Sequence, residues 1–200
     1  MAQNEDDDWN RLLQQARRGN PSAGKTMVER LYPTVIRIVR NHRPFAMDEE
    51  DLAQEVFMKM FAKLDTYRGL QPIEHWVSRI ARNTCYDHLR KQQRRGELRY
   101  ADLREEDSHV LEAMLSKAAE SDSMLDTPEG VRNLLNQLLA TLRPGEQQVL
   151  RMLDLEEMPV KEIAQQLNWG ESKVKVTAFR ARKKLRATLE KLEPQLQYEK

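Results

Sequence analysis

Seven lysine and arginine residues and no acidic residue lie between Lys173 and Arg186, although the net charge of the whole chain is only +1. Positive charge at this density can bind the phosphates of nucleic acid, and arginine can also contact a guanine edge through two hydrogen bonds. The stretch follows a short amphipathic segment, Val160–Leu167, and the tripeptide Asn168-Trp-Gly. A short helix, a tight turn with glycine and a basic second helix are typical of a helix-turn-helix, whose second helix enters the DNA major groove.

The predicted second helix has two different faces. At about 100° per residue, four apolar residues share the face that would pack on the first helix: Val174, Ala178, Ala181 and Leu185. The remaining surface is largely basic and consists of Ser172, Lys173, Lys175, Val176, Phe179, Arg180 and Lys183. Its two apolar members suit contact with a thymine methyl group or a sugar edge. A solvated basic helix, or a helix that packs on another protein, would show the same pattern, but the turn and the placement of charge favour DNA.

A second candidate nucleic-acid surface lies on the helix predicted over residues 74–95. Its inner face consists of Trp76, Val77, Ile80, Ala81 and Thr84. Its outer face interleaves arginine with an amide and an aromatic ring: Arg79, Arg82, Asn83, Tyr86 and Arg90. Bases can stack on a ring, an amide can hydrogen-bond a base edge, and arginine can bind phosphates, so this face suits an unpaired strand. An ordinary solvated helix face is the alternative.

The helix predicted over residues 49–64, with Asp48 as its N-cap, carries an acidic edge. Its apolar stripe consists of Leu52, Val56, Phe57, Met60, Phe61 and Leu64. Outside this stripe lie Asp51, Gln54 and Glu55. The acids at 48–50 suit the positive end of the helix dipole. The dipole does not account for the three residues of the edge, for which a partner-binding role and plain solvation both remain open.

Breaks in the helical pattern divide the chain. Helices are predicted over residues 9–18, ended by Gly19-Asn-Pro, and over residues 23–40, with Pro33 as an expected kink or break. Leu142-Arg-Pro-Gly separates two later helices, the second over residues 146–155. Residues 97–130 hold ten Asp or Glu against three Lys or Arg, which is typical of a linker. We therefore predict an all-α fold: two small helical domains, residues 1–95 and 131–200, joined by an acidic flexible linker, residues 96–130.

Several function classes are disfavoured. The chain has no apolar run of membrane-spanning length, and its acidic N-terminus does not resemble a signal peptide. The single cysteine, Cys85, excludes an internal disulfide and fits a reducing compartment, so we expect a cytoplasmic protein. Cys85 and His88 form only a two-ligand fragment without a second pair, and we expect no metal and no cofactor. The chain also lacks a glycine-rich phosphate loop and a nucleophile elbow, so it is predicted to be a binding protein and not an enzyme.

Two separate parts of the chain together resemble the extracytoplasmic-function (ECF) sigma factors. Asp48-Glu-Glu-Asp-Leu-Ala-Gln-Glu-Val-Phe, Leu64-Asp-Thr-Tyr-Arg-Gly and Trp76-Val-Ser-Arg-Ile-Ala-Arg-Asn-Thr resemble conserved region two of that family. Residues 138–192, with Glu162-Ile-Ala and Arg180-Ala-Arg, resemble region four. Gly170 and Thr177 stand where the family often has serine and arginine, and Trp169 is a large residue for the turn. These departures concern which promoter is read.

The resemblance implies a subunit that binds core RNA polymerase and directs it to promoter DNA. It implies that Asp51, Gln54 and Glu55 dock on the clamp helices of the beta-prime subunit, and that region four meets the beta flap. Asn83 matches a position that helps capture a flipped base of the minus-ten element, with Arg79, Arg82, Tyr86 and Arg90 nearby. Residues of the basic helix match positions at the minus-thirty-five element: Ser172, Lys173, Lys175, Val176, Phe179, Arg180 and Lys183. The linker matches the segment that runs toward the RNA exit path, and an anti-sigma factor is an expected partner.

The chief alternative is an ordinary helix-turn-helix regulator whose N-terminal domain senses a signal or dimerises. Such a regulator would act on DNA without docking on core polymerase. The observation that separates the two is whether the chain binds core polymerase and has no promoter action without it.

Overall fold

The computed structural model describes residues 2–44, 47–100 and 127–197, and these residues form helices joined by short turns, with no strand among them. The α-helices are α1 Ala2–Arg17, α2 Pro21–His42, α3 Glu49–Ala62, α4 Ile73–Tyr100, α5 Pro128–Ala140, α6 Pro144–Leu150, α7 Val160–Leu167 and α8 Glu171–Gln197. A 3-10 turn covers Leu64–Thr66 and a π-helical turn covers Arg151–Leu155. The predicted all-α fold is confirmed.

The described chain forms two compact units. Residues 2–43 and 47–85 belong to the first, and the described residues from Tyr86 onward belong to the second. The division falls inside α4, upstream of the domain boundary predicted at residue 95. Of the predicted linker, residues 96–100 continue α4, Thr127 caps α5, residues 128–130 form the start of α5, and residues 101–126 lie outside the described residues.

Helix α2 runs without interruption through Pro33, so the predicted break is absent. Proline inside a helix costs about 3 kcal/mol because it removes a hydrogen bond and crowds the preceding turn. Here both sides of Pro33 belong to one buried stripe: Met27, Leu31, Val35, Ile36, Ile38 and Val39. Burial of each such side chain contributes about 1.5–3 kcal/mol, which outweighs the cost of the proline.

The acidic helix begins where its cap residue predicts. The Asp48 carboxylate accepts hydrogen bonds from the backbone N–H groups of Glu50 and Asp51 at 2.8 and 3.1 Å. The helix ends at Ala62, two residues before the predicted end, and Leu64 is buried in the 3-10 turn that follows. Five of the six stripe residues are buried, whereas Phe61 remains 38% exposed.

Two glycines of the first unit are expected to respond oppositely to the same substitution. Gly19 ends α1 at φ +78°, a left-handed conformation, and an added methyl would meet nothing within 4 Å. Gly24 lies inside α2, where a methyl would reach the Phe61 ring at an ordinary 3.7 Å. Gly19→Ala should lower the free energy of unfolding by about 1–2 kcal/mol, whereas Gly24→Ala should raise it by about 0.5–1 kcal/mol. Urea unfolding monitored by circular dichroism checks both, and equal effects would contradict the argument.

The second unit packs α5–α8 around a small apolar core. Its buried residues are Leu139, Leu142, Val149, Leu150, Met152, Met158, Ile163, Ala164, Val174, Ala178 and Ala181. Helix α6 begins at Pro144, two residues earlier than predicted, because proline is well tolerated in the first turn. A buried polar pair also lies within this unit: Arg151 donates a hydrogen bond to Asn136 at 2.9 Å.

Candidate functional site

The first helix of the helix-turn-helix has its predicted bounds, and the second begins at its predicted residue. Helix α7 ends at Leu167 and α8 begins at Glu171. The left-handed residue between them is Asn168, at φ 54° and ψ 46°. Asparagine tolerates this conformation better than most residues. Gly170 ends the predicted turn immediately before α8, and its carbonyl oxygen accepts a hydrogen bond from the Val174 N–H at 3.2 Å.

Packing fixes which face of α8 is available. Val174, Ala178 and Ala181 are buried against the apolar core that includes Ile163 and Ala164 of α7, and Leu185 is half-buried. The residues predicted to bind DNA are all exposed: Ser172, Lys173, Lys175, Val176, Phe179, Arg180 and Lys183. Phe179 is 70% exposed and Val176 is 46% exposed. A helix thus presents exposed cations with two apolar side chains among them, which is a surface suited to a major groove.

Two of the seven cations counted in the sequence are paired with carboxylates. Arg182 pairs with Asp154 of the π-helical turn, and Lys184 donates hydrogen bonds to both carboxylate oxygens of Glu146 at 2.6 and 2.9 Å. The hydrogen bond to Asp154 raises the pKa of Arg182. Burial by itself would raise the pKa of Glu146, but the hydrogen bonds from Lys184 and from the Arg143 backbone N–H outweigh it and leave that pKa below its ordinary value. Both pairs anchor α8 to neighbouring elements.

The Glu146–Lys184 pair predicts a pH dependence. Because the folded state lowers the pKa of Glu146, the pair stabilises the fold above the carboxyl's ordinary pKa of 4.5. This stabilisation is lost as the pH falls through the lower folded-state pKa. Lys184→Met should therefore reduce the free energy of unfolding by about 0.5–1 kcal/mol at pH 7, and the difference from the wild type should shrink toward pH 3. Thermal melts at several pH values test this. A difference that is constant with pH would contradict it.

The residues of the predicted outer face of α4 differ in exposure. Arg79, Asn83 and Arg90 are exposed, and Arg82 and Tyr86 are half-buried. The guanidinium carbon of Arg90 lies 5.8 Å from the centroid of the Tyr86 ring, so arginine and aromatic ring form one composite surface. On the opposite face, Val77, Ile80, Ala81 and Thr84 are buried and Trp76 is half-buried.

The three residues of the acidic edge of α3 differ in exposure and in their contacts. Asp51 and Gln54 are exposed. Glu55 is half-buried and pairs with Lys59 at 2.8 Å, and Lys59 also donates a hydrogen bond to the Thr84 hydroxyl on α4 at 3.3 Å. Glu55 is therefore coupled to the packing of α3 on α4, whereas Asp51 is free to meet a partner.

Some residues that hold the surfaces in place were not identified from the sequence. The Arg17 guanidinium donates hydrogen bonds to the carbonyl oxygens of Leu64 and Tyr67 at 3.1 and 2.5 Å and so ties α1 to the turn before α4. Trp169 lies beneath the ammonium group of Lys173. The Arg17 contacts join residues 47 and 50 positions apart and leave no periodic signal in the sequence, whereas Trp169 and Lys173 are local neighbours whose contact depends on how the turn places the ring.

The described part of the chain holds no group of three or more histidine, cysteine, aspartate or glutamate residues that could bind a metal ion. Cys85 is buried. Within the same ranges, no helix combines the length and the apolarity needed to cross a membrane.

Two family models match the chain in the order of its two helical regions. Sigma-70 region 2 matches residues 27–95, and Sigma-70, region 4 matches residues 132–185. Together the matches cover more than half of the chain. The first contains α3 and the proposed strand-binding face of α4, and the second contains the helix-turn-helix.

Curated relatives extend over nearly the whole chain. The ECF RNA polymerase sigma-E factor of Escherichia coli K12 is 25% identical over 171 residues, which is 86% of this chain and 88% of that protein. The RNA polymerase sigma-H factor of Pseudomonas aeruginosa is 25% identical over 182 residues, which is 90% of this chain and 93% of that protein.

Solved structures share the fold. CnrH, in complex with the cytosolic domain of CnrY, has a TM-score of 0.53 at 22% identity, covering 90% of this chain and 95% of that chain. The sigma factor RpoE of Bartonella quintana, in complex with the anti-sigma factor NepR, has a TM-score of 0.53 at 18% identity, covering 83% and 96%. With two region matches in order, full-length relatives and a shared fold, the chain belongs to the ECF family of RNA polymerase sigma factors.

Proposed function

We propose that three helix faces of this sigma factor divide its work on core RNA polymerase and promoter DNA. The acidic edge of α3, with Asp51, Gln54 and Glu55, docks on the beta-prime clamp helices, and the second unit also meets the beta flap. The outer face of α4 holds the melted minus-ten strand through Arg79, Arg82, Asn83, Tyr86 and Arg90. The outer face of α8 reads the minus-thirty-five element through Ser172, Lys173, Lys175, Val176, Phe179, Arg180 and Lys183.

The observation that carries this proposal is the opposite charge of the exposed faces of α3 and α8. Asp51 on α3 is an exposed acid, suited to a basic protein surface. The outer face of α8 is basic and interrupted by exposed Val176 and Phe179, suited to a groove that offers both phosphates and thymine methyl groups. Electrostatic complementarity of this kind increases association rates and suppresses wrong partners.

The remaining assignments follow from this function. We propose functional boundaries at residues 1–95 for region two, 96–130 for the linker and 131–200 for region four. The protein acts where core polymerase is found, in the cytoplasm, and it has no catalytic activity of its own. An anti-sigma factor is a further proposed partner, supported by the shared fold with RpoE, whose structure contains the anti-sigma factor NepR.

Reconstitution tests the function. The full-length chain is mixed with bacterial core polymerase on a randomised promoter library, and the transcript start sites are sequenced. We expect start sites that depend on both chain and core, with two enriched sequence blocks upstream. If the chain alone bound DNA with the same sequence preference as the chain with core polymerase, the result would instead support an ordinary helix-turn-helix regulator.

A further inference from the structure

One lysine of the DNA-facing helix lies against an aromatic ring of the preceding turn. The ammonium nitrogen of Lys173 is 4.0 Å from the centroid of the Trp169 ring, well within the roughly 6 Å at which a cation is attracted to an aromatic face. Lys173 is exposed in the first turn of α8. The ring thus contacts a member of the surface proposed to bind DNA.

Trp169 is itself fixed on several sides. Its backbone N–H donates a hydrogen bond to the Ala164 carbonyl oxygen at 2.9 Å, and it follows the left-handed residue Asn168. The side chain is half-buried against the apolar core of the second unit. A methyl group at Gly145 would lie only 3.4 Å from the Cη2 atom of the ring, so the ring rests directly on the first turn of α6. It is a rigid platform for the lysine.

The ring restrains Lys173 without neutralising it. Arg182 and Lys184 are also restrained, but each by a carboxylate whose negative charge opposes the attraction of a phosphate. An aromatic face attracts a cation through its quadrupole and carries no net charge. Lys173 therefore keeps its full charge for DNA. Because the ring already restricts its rotamers in the free protein, less side-chain entropy is lost when Lys173 binds DNA.

We propose that Trp169 is a positioning residue for promoter recognition, which holds Lys173 in place at the start of α8 before DNA arrives. The proposal rests on the proposed function, in which α8 binds the minus-thirty-five element. It assigns a role to the large aromatic residue in the turn of the helix-turn-helix.

A double-mutant cycle tests the proposal. Trp169→Leu, Lys173→Gln and the double variant are prepared as full-length chains with core polymerase, and binding is measured on a fluorescent duplex promoter recovered with the wild type from the randomised library. Lys173→Gln should weaken binding. It should also lower the salt slope, which is the steepness with which the logarithm of the binding constant falls with the logarithm of salt concentration, by about one unit. Trp169→Leu should weaken binding about two- to fivefold and leave the salt slope unchanged, because the charge remains. In the Lys173→Gln background, Trp169→Leu should have no further effect.

Losses that add in the double variant, or a lower salt slope in Trp169→Leu, would overturn the proposal. Thermal melts of each variant control for folding. If Trp169→Leu unfolds the second unit, Trp169→Phe replaces it in the cycle. A smaller effect of Trp169→Phe in the Lys173→Gln background than in the wild type then supports the positioning role, and binding losses that simply add contradict it. Failure of the wild type to bind any promoter with core would instead contradict the proposed function, so the two failures are distinguishable.

Discussion

Replacing Arg180 with alanine is expected to weaken binding to the minus-thirty-five element by about 1–3 kcal/mol at a single base pair and to relax the preference for guanine there. Arg180 is exposed on α8, away from the buried Val174, Ala178 and Ala181, so the fold should be unaffected. Binding of the reconstituted holoenzyme to promoters that vary one base pair at a time measures the effect. A uniform loss with every preference intact would show that Arg180 does not read a base.

Lys183 is the matched control within the same helix face. It is also exposed, but a lysine at this position is more suited to a phosphate than to two contacts on one base. Lys183→Ala should weaken all promoters about equally and lower the salt slope by about one unit. The two variants therefore separate base reading from anchoring, and identical profiles would remove that distinction.

Reversing the charge of Asp51 is expected to lower affinity for core polymerase by about tenfold or more at low salt, because a like charge would then face the partner. The loss should shrink as salt rises, since screening reduces interactions of exposed charges over about 10 Å at 0.1 M. Fluorescence titration of labelled Asp51→Lys with core polymerase measures both effects. Asp51 lies outside the buried stripe of α3, so the melting temperature should change little.

Glu29→Lys is the control for this charge reversal. Glu29 is an exposed acid on α2 of the same unit, near Lys25. The Glu29→Lys substitution changes the net charge of the chain by the same amount as Asp51→Lys. Core affinity close to the wild type is expected for it. Equal losses in the two variants would mean that net charge, and not the edge of α3, controls docking. Glu55 is a poorer probe, because its reversal would place a second ammonium group beside Lys59 and disturb the contact with Thr84.

Local signals in the sequence determined most of the elements and the faces they present. The bounds of α7 and the start of α8 follow from apolar periodicity and from the interruption at residues 168–170. Asp48 begins α3 as its side chain predicts. The predicted residues of the α8 surface are all exposed, because helix periodicity separates an apolar face from a polar one without knowledge of what packs against it.

Tertiary packing decided what these local signals leave open. Pro33 does not end α2, because both halves of that helix bury side chains in one core. The positive charge of α8 is divided between fold and surface by carboxylates that lie 28 and 38 residues away, at Asp154 and Glu146. In the sequence, the seven cations are equivalent. Which of them pair with carboxylates is determined by the approach of α6 and the π-helical turn to α8. A partner that distant is set by the packing of whole helices, and no periodicity within α8 encodes it.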